Sequence, residues 1–264
     1  MRQWKIILLT NNLRPFHKYL EGFFLVFMAG VLSERQETGV VDAVNTHFQN
    51  FGNPINVTAG SITIREIISA EKYGGRSSAG TEPYTDVILT SKNGKKYNIS
   101  NKGTSAPSIA GGGLKGLDLI IPGFSNRFLD AALKKYQDLG YKEGDQIPDM
   151  YGRVSDDLKE TIVVGNASMG GPIHYMYIGP MDVRFTTSGK VVRLNGHFHD
   201  AKKYADSHDL FLRLRKRRND QPFTLEKDAK GVPFVLGRSP SAGDKGRRIV
   251  IVPSIPSNAL QVEF

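Results

Sequence analysis

The sequence predicts an α/β protein with a mixed sheet flanked by helices in residues 1–145 and a β-rich, basic second half in residues 146–264. Three observations support this fold class. Asn93-Gly94 separates two β-prone runs, which is the strongest short signal for a tight hairpin. Apolar stretches of helical period lie on both sides of that hairpin. After it, short β-prone runs alternate with Gly and Pro turns, as in a second domain or an extension of the same sheet.

The elements of the first half follow from local patterns and from the residues that end them. Asn53-Pro54 breaks the second helix, Ser61 is the predicted N-cap of the third, and Gly74-Gly75 closes it. The predicted elements are a strand from Trp4 to Leu9, helices from Tyr19 to Gln36, Val40 to Phe51 and Ser61 to Tyr73, hairpin strands from Val87 to Thr90 and Lys96 to Ser100, and a helix from Ser125 to Leu139.

In the second half, β-branched residues dominate the apolar runs, which favours strands. The predicted strands are Thr161 to Val164, Ile173 to Ile178, Lys190 to Leu194, Leu210 to Arg215 and Arg247 to Val252.

Composition and charge limit the function classes. The chain has 264 residues and no cysteine, which excludes disulfides, cysteine nucleophiles and cysteine-based zinc sites. The net charge is +9, and the part from Ala201 onward holds 13 Lys and Arg against 7 Asp and Glu. This basic end favours a polyanionic partner, most plausibly nucleic acid, although a solubilising surface is the alternative.

One segment is apolar enough to suggest a membrane. It runs from Phe23 to Leu32, and its ten residues are too few for a bilayer, which needs about 20. We expect a buried helix there and no membrane partner.

The candidate catalytic residues surround the predicted hairpin. Ser100 and Lys102 share one face of the second strand, because side chains two apart on a strand point the same way. Asp86 enters the partner strand and falls near Lys102 across the ladder, close to Asn101. Acid oxygens beside a lysine suit a magnesium ion and a scissile phosphate. On the predicted third helix, Glu71 shares the isoleucine face and Glu66 lies nearly opposite, and both stay candidate acids.

These residues resemble the PD-(D/E)XK nuclease superfamily, whose core has a helix bearing an acid, a strand with Asp, a hairpin and a strand ending in acid-x-Lys. The resemblance implies a restriction-endonuclease-like core and hydrolysis of DNA with Mg²⁺ or Mn²⁺. It implies that Asp86 and Glu71 or Glu66 bind the metal and that Lys102 assists the water. Ser100 occupies the position of the second acid and would be auxiliary, with the carbonyl of Asn101 as a further ligand.

The chain is also similar to proteins encoded by tailed phages, which implies the cytoplasm of a bacterial host. A homodimer is a possible assembly for a restriction-like enzyme. The alternative function is a non-catalytic DNA-binding or phage structural or assembly protein that kept the fold, since Ser100 replaces an acid.

The densest charge lies near the C-terminal end of the predicted strand Leu210 to Arg215. If the strand continues, Arg213, Arg215 and Arg217 form one row opposite the core, which suits a phosphate backbone. A solvated face or an acidic protein partner is the alternative. The predicted nucleic-acid-binding residues are Arg213, Arg215, Lys216, Arg217, Arg218, Arg247 and Arg248.

Overall fold

The computed structural model of the protein describes residues 34–76, 83–104, 118, 121–142, 145–215 and 248–264. Three predicted features lie outside these ranges: the strand from Trp4 to Leu9, the apolar segment from Phe23 to Leu32, and the helix from Tyr19 to Gln36 apart from its last three residues. Within the part of the chain that is described, no helix is long and apolar enough to cross a membrane.

Within the described residues, single helices separate groups of one to four strands. The helices are α1 (34–51), α2 (Phe124–Asp138), α3 (Asp156–Val164) and α4 (Ala201–Ser207). The strands are β1 (Ile55–Ala59), β2 (Ile62–Lys72), β3 (Val87–Ser91), β4 (Lys96–Gly103), β5 (Met150–Arg153), β6 (Tyr175–Gly179), β7 (Phe185–Ser188), β8 (Val191–Leu194), β9 (His197–Asp200), β10 (Phe211–Arg215), β11 (Arg248–Val252) and β12 (Leu260–Val262).

Two mixed sheets organise these strands, so the protein belongs to the α/β class. The larger sheet has eight strands in the order β7-β8-β1-β2-β3-β4-β6-β9, in which only the β1/β8 and β4/β6 neighbours are parallel. The smaller sheet has the order β11-β10-β5-β12. Strands from both halves of the sequence therefore share the eight-stranded sheet.

The larger sheet separates two apolar cores. Met176 and Tyr177 are neighbours on β6, and because strand side chains alternate they point to opposite faces. Tyr177 belongs to the core that contains Val40 and Val44 of α1. Met176 belongs to the core formed with α2, α3, α4 and the smaller sheet. Each face of the sheet is thus covered, as expected for an α/β arrangement.

The prediction of a helix from Ser61 to Tyr73 is wrong, because this segment forms β2. Gly60 and Ser61 are the two-residue turn of a β1–β2 hairpin, with Ala59 opposite Ile62. Shifts in register interrupt β2, and Glu66 has a φ of 58°. A β-bulge resets the two-residue alternation, so buried residues three apart on a strand can imitate helical spacing.

A second correction concerns Thr161 to Val164, which form the last turn of α3 instead of a strand. Asp156 and Asp157 occupy the first turn of this helix, where their negative charges interact favourably with the helix dipole. Ile162 and Val163 are fully buried in the core beneath the smaller sheet. Packing therefore overrides the β preference of these branched residues.

The other predicted elements are confirmed within a few residues. The helix predicted from Val40 to Phe51 is found as part of α1, which is already helical at residue 34, and the helix predicted from Ser125 to Leu139 is α2. The central hairpin pairs Val87 with Ile99 and Thr90 with Lys96. The remaining predicted strands are found as β6, β8, β10 and β11.

Candidate active site at the end of β4

The first turn of α1 is fixed against the ends of β4 and β6. Gln36 is buried, and its Nε2 donates hydrogen bonds to the carbonyl oxygens of Lys102 at 3.2 Å, Gly179 at 2.9 Å and Pro180 at 3.2 Å. These carbonyls belong to the C-terminal ends of two parallel neighbouring strands. The residues that flank Gln36 on α1 are therefore held near the place where the predicted catalytic strand ends.

Asp86 is held by both of its neighbouring strands. Its amide donates to the carbonyl of Ile99 and its carbonyl accepts from the amide of Tyr73, each at 2.9 Å. Its carboxylate Oδ2 accepts hydrogen bonds from the Ser100 hydroxyl at 3.2 Å and from the Asn101 amide at 2.6 Å. Hydrogen bonds to an ionised acceptor are stronger than neutral ones, so this carboxylate has a fixed position and orientation.

Glu37 on α1 is the acid that the structure adds to this site. Its side chain is 25% exposed, and its Oε2 lies 3.5 Å from Lys72 Nζ at the end of β2. Burial, followed by the negative charge of Asp86, raises the pKa of the Glu37 carboxyl, and Lys72 acts in the opposite direction. Glu37 therefore lies at the end of β2, where Lys72 stands opposite Val87, the residue after Asp86.

Lys72 is shared between two acids of α1. Its Nζ lies 3.5 Å from Glu34 Oε1 as well as 3.5 Å from Glu37 Oε2. The Glu34 side chain is 73% exposed, whereas Glu37 is largely buried. Lys72 stands opposite Val87 in the β2–β3 ladder. It therefore lies at the end of the sheet where Asp86 precedes Val87.

Ser100 and Lys102 lie on β4 as the hairpin prediction expects. Ser100 is buried and contacts Asp86, and Lys102 follows two residues later, so the two side chains share a face of the strand. Lys102 is partly buried, and its carbonyl accepts the hydrogen bond from Gln36. Asp86 and Ser100 therefore meet at this end of β4, and the Lys102 side chain follows on the face that Ser100 shares with Met176, opposite the face that α1 covers.

Asn101 contributes an unsatisfied amide next to Asp86. Its backbone N–H binds the Asp86 carboxylate, but both its side-chain Oδ1 and Nδ2 are buried without a hydrogen-bond partner among the described residues. A buried polar group that lacks a partner costs about 1–3 kcal/mol. An amide kept at such a cost needs an explanation, and a bound ligand is one.

The two glutamates predicted for the helix lie on strand β2 instead. Glu66 is exposed at the bulge, and its carbonyl accepts from the amide of Lys92 beyond the far end of β3. That end is about 17 Å from Asp86, at about 3.3 Å per strand residue. Glu71 stands opposite Ile88, nearer Asp86, and its half-exposed carboxylate lies 3.9 Å from Lys96 Nζ. The structure therefore separates Glu66 from the site.

Arg213 is the one predicted nucleic-acid-binding residue whose side chain is described. Its Nε and Nη2 donate to Asp149 Oδ2 at 2.8 and 2.6 Å, and its guanidinium lies 5.8 Å from the centre of the Tyr151 ring. As predicted, Leu212 and Leu214 on the other face are fully buried. For Arg215 and Arg248 only the backbone is described, and Lys216, Arg217, Arg218 and Arg247 lie outside the described residues.

The donor set for a metal is small. Among residues 34–76, 83–104 and the other described ranges, no group of three or more His, Asp or Glu side chains is arranged to hold a metal ion. Glu37 and Asp86 supply two carboxylates. Mg²⁺ is commonly bound through one or two carboxylates, with waters and substrate phosphates as its other ligands, so two acids fit this mode of binding.

Sequence reasoning missed Glu37, Lys72 and the Asn101 side chain. Glu37 could have been found, because it lies one turn before Val40, where the predicted helix began, and that helix directly precedes the paired strands. Lys72 was assigned to a helix, so its place in the β2–β3 ladder was not visible. No protein family model, curated protein or solved structure matches the chain.

Proposed function

We propose that this protein is a metal-dependent DNA endonuclease that hydrolyses phosphodiester bonds. The single observation that supports it most is the Asp86 carboxylate, which the Ser100 hydroxyl and the Asn101 amide hold at the end of β4. Lys102 follows on the same strand, and Glu37 lies beside Lys72 at the adjacent end of β2. An acid pair close to a lysine is the residue set that metal-assisted phosphate hydrolysis requires.

The same arrangement supports the resemblance to PD-(D/E)XK nucleases, with a different element supplying the helix acid. The acid-bearing helix becomes α1 with Glu37, in place of the segment from Ser61 to Tyr73. The other pieces are Asp86 before β3, the β3–β4 hairpin, and β4 with Ser100-Asn101-Lys102. A restriction-endonuclease-like core, a phage-type origin, the cytoplasm of a bacterial host and a homodimer remain predictions that belong to this proposal.

Asp86 and Glu37 would hold Mg²⁺ or Mn²⁺. Glu71 stays a possible outer contact, since it lies on the neighbouring strand. When bound, the metal would polarise the phosphate and lower the pKa of a water. The unsatisfied amide of Asn101 supports a ligand at this place, because its Oδ1 is a hard oxygen of the kind that Mg²⁺ prefers.

The chain's own residues have separate tasks in this proposal. Ser100 donates to Asp86 Oδ2 and keeps that carboxylate oriented. Lys102 orients the attacking water and stabilises the negative charge that develops on the phosphate. Lys72 neutralises Glu37 in the protein without metal, since its ammonium lies 3.5 Å from the carboxylate. The charge of Lys72 acts against the rise in the pKa of Glu37 that burial causes.

DNA as the substrate is supported by charge. The chain has a net charge of +9, and its basic surplus is concentrated in the last quarter. Arg213 already pairs with Asp149, so phosphate contacts are expected chiefly from the neighbouring arginines and lysines of the same segment. Binding of this kind weakens steeply as salt increases.

The second candidate function is a non-catalytic DNA-binding or phage assembly protein. Two observations favour it. Ser100 stands where the superfamily pattern has an acid, and serine is a weak ligand for Mg²⁺. In addition, Lys72 already supplies a cation to Glu34 and Glu37, which makes the site stable without a metal.

A cleavage assay with two matched lysine variants tests the main proposal. Plasmid, linear and single-stranded DNA are incubated with the protein in Mg²⁺, Mn²⁺ or EDTA. Lys102→Met should lose metal-dependent cleavage, whereas Lys96→Met should retain it, because Lys96 lies on the same strand but is exposed and pairs with Glu71. Intact DNA with a salt-sensitive gel shift would favour the second function. Neither cleavage nor a shift would overturn both.

A second pair of variants tests the acid on α1. Glu34 and Glu37 contact the same lysine at the same distance, but the Glu34 side chain is 73% exposed and the Glu37 side chain is 25% exposed. We expect Glu37→Gln to abolish cleavage and Glu34→Gln to leave it within about twofold. Equal activity of the two variants would show that Glu37 is a structural partner of Lys72 and nothing more.

A further inference from the structure

A pocket of about 390 Å³ lies at the opposite end of β4 from Asp86. Its walls include Tyr97 near the start of β4, His174 and Tyr175 at the start of β6, and the β9–α4 junction. Five residues separate Tyr97 from Lys102, which corresponds to about 17 Å along the strand. The volume lies in the lower part of the range for small-molecule sites, about 300–1,000 Å³.

One side of the pocket is aromatic. The ring of Tyr97 lies 6.2 Å from that of Tyr175 and meets the ring of His174 edge-on at 5.8 Å. The ammonium of Lys95 lies 4.8 Å from the centre of the Tyr97 ring. Both tyrosines are partly exposed, so a planar ligand can reach their rings. Aromatic side chains that are open to a pocket are typical stacking partners for bases.

The polar groups of the pocket supply both a donor and an acceptor. Nδ1 of His174 accepts the amide hydrogen of Asn98 at 3.0 Å, which leaves the ring proton of the neutral imidazole on Nε2. Burial and then the charge of Lys95 lower the pKa of His174, so the ring is neutral at pH 7. The Asp200 carboxylate caps α4 by accepting from the amide of Lys203 at 2.9 Å.

The two lysines of the pocket have different partners. Lys202 Nζ lies 3.1 Å from a carboxylate oxygen of Glu160, so its charge is already compensated. Lys95 instead faces the Tyr97 ring. An anionic group of a ligand would therefore be met by Lys95, which lies over one face of the Tyr97 ring, so a planar group would stack on the other face.

We propose that this pocket binds a nucleotide unit. The base stacks on Tyr97 beside Tyr175, its edge exchanges hydrogen bonds with His174 Nε2–H and the Asp200 carboxylate, and its phosphate contacts Lys95. A ligand with a planar aromatic ring, mixed donors and acceptors, and a negative charge uses all of these groups at once. The same chemistry is offered by a free mononucleotide and by an unpaired nucleotide of a DNA strand.

Titration calorimetry on the full chain tests this proposal without reference to cleavage. The ligands are the four deoxynucleoside 5′-monophosphates, deoxyribose 5-phosphate, deoxyadenosine and a dT tetranucleotide. We expect the monophosphates to bind at least about tenfold more tightly than deoxyribose 5-phosphate or deoxyadenosine, because one good stacking contact or one charge contact alters affinity by that order. A tetranucleotide that binds more tightly than dTMP identifies a strand as the source, and weaker binding identifies the free nucleotide.

Three variants separate the pocket from its surroundings. Tyr97→Leu and Lys95→Ala should each weaken monophosphate binding at least tenfold. Lys92→Ala, an exposed lysine in the same hairpin turn, should leave it unchanged. Lys95→Ala is an exposed change that leaves the fold intact. No binding at millimolar ligand, or equal binding of deoxyribose 5-phosphate and the monophosphates, would overturn the proposal.

Discussion

The two ends of β4 differ in how their polar groups are arranged: they are packed together at one end and surround an open pocket at the other. At the Asp86 end, charged groups from α1, β2, β3 and β4 pack against one another and satisfy each other through hydrogen bonds and ion pairs. At the Tyr97 end, aromatic and polar groups surround an open pocket of about 390 Å³. Rigid charge at one end suits chemistry on a phosphate, whereas open volume at the other suits recognition of a whole ligand.

The difference follows from what covers each end. The first turn of α1 is locked onto the last carbonyls of β4 and β6 by Gln36, which brings Glu37 against the sheet. At the start of the same two strands, the covering groups come from α3 and the β9–α4 junction, which line the pocket. Variants at each end can break or sharpen this comparison.

The largest effect is expected at Asp86. Asp86→Asn removes a charged acceptor of two hydrogen bonds, and we expect cleavage to fall about 100-fold or more, the scale of one electrostatic group in an active site. The free energy of unfolding should fall by about 1–3 kcal/mol. DNA cleavage and thermal unfolding measure the two effects. Full cleavage by a folded Asp86→Asn protein would move the active site elsewhere.

Ser100→Asp sharpens the comparison by placing an acid where the superfamily pattern has one. Ser100 Oγ is 3.2 Å from Asp86 Oδ2, so a second carboxylate there creates a buried like-charge contact. We expect a loss of about 3–5 kcal/mol without metal, or a melting temperature lower by about 10 °C, and recovery in Mg²⁺. Melting curves with Mg²⁺ and with EDTA measure this.

Ser125→Asp is the matched control for that variant. Ser125 is also buried, and its hydroxyl donates to Asp118 at 2.5 Å, far from Glu37 in the sequence. It should lose stability in the same way, but Mg²⁺ should not restore it. Equal recovery of both variants would mean that any pair of adjacent carboxylates binds the metal. The proposal of a specific metal site at Asp86 would then fail.

Asn101→Leu should change stability and activity in opposite directions. The variant removes two buried polar atoms that have no partner among the described residues. We expect the protein to gain about 1–2 kcal/mol of unfolding free energy, because the cost of an unsatisfied amide disappears. Cleavage or Mg²⁺ binding should weaken if the amide serves a ligand. A variant that is less stable would reveal a partner for the amide, and the argument for a ligand there would fail.

The smallest effect is expected at His174, in the pocket. Its pKa is lowered in the folded protein, so the unfolded chain takes up the proton first as the pH falls. The protein should therefore lose no stability from His174 above its ordinary pKa of about 6.5, and should lose it progressively below that value. His174→Gln should show a flatter dependence of melting temperature on pH between 8 and 5. The exposed control His197→Gln should behave like the unchanged protein.

Local signals predicted much of the fold correctly. Asn93-Gly94 identified the β3–β4 hairpin, and Gly94, with a φ of 81°, closes a three-residue loop that places Thr90 opposite Lys96. Leu212 and Leu214 were expected to face a core, and both are buried. In each case, the residues that decide the structure are close together in the sequence.

The acid on α1 and the strand conformation of β2 could not be predicted from such local signals. The buried positions Ile64 and Ile67 are three apart because the bulge at Glu66 resets the strand, and that spacing also describes a helix. Gly60-Ser61 lies between two β-branched runs and is a hairpin signal, but the helix-like spacing of the isoleucines led to a prediction of Ser61 as an N-cap.

The sequence by itself determined the α/β class, the central hairpin, the basic end of the chain and the approach of Asp86 to the end of the second hairpin strand. Only the tertiary structure decided that Glu37 pairs with Lys72 and that a pocket opens at the far end of β4. Local preferences and turn geometry act between residues a few positions apart. The pairing of Glu37 with Lys72, which are 35 positions apart, depends instead on how α1 packs across the sheet and on the three carbonyls that hold Gln36.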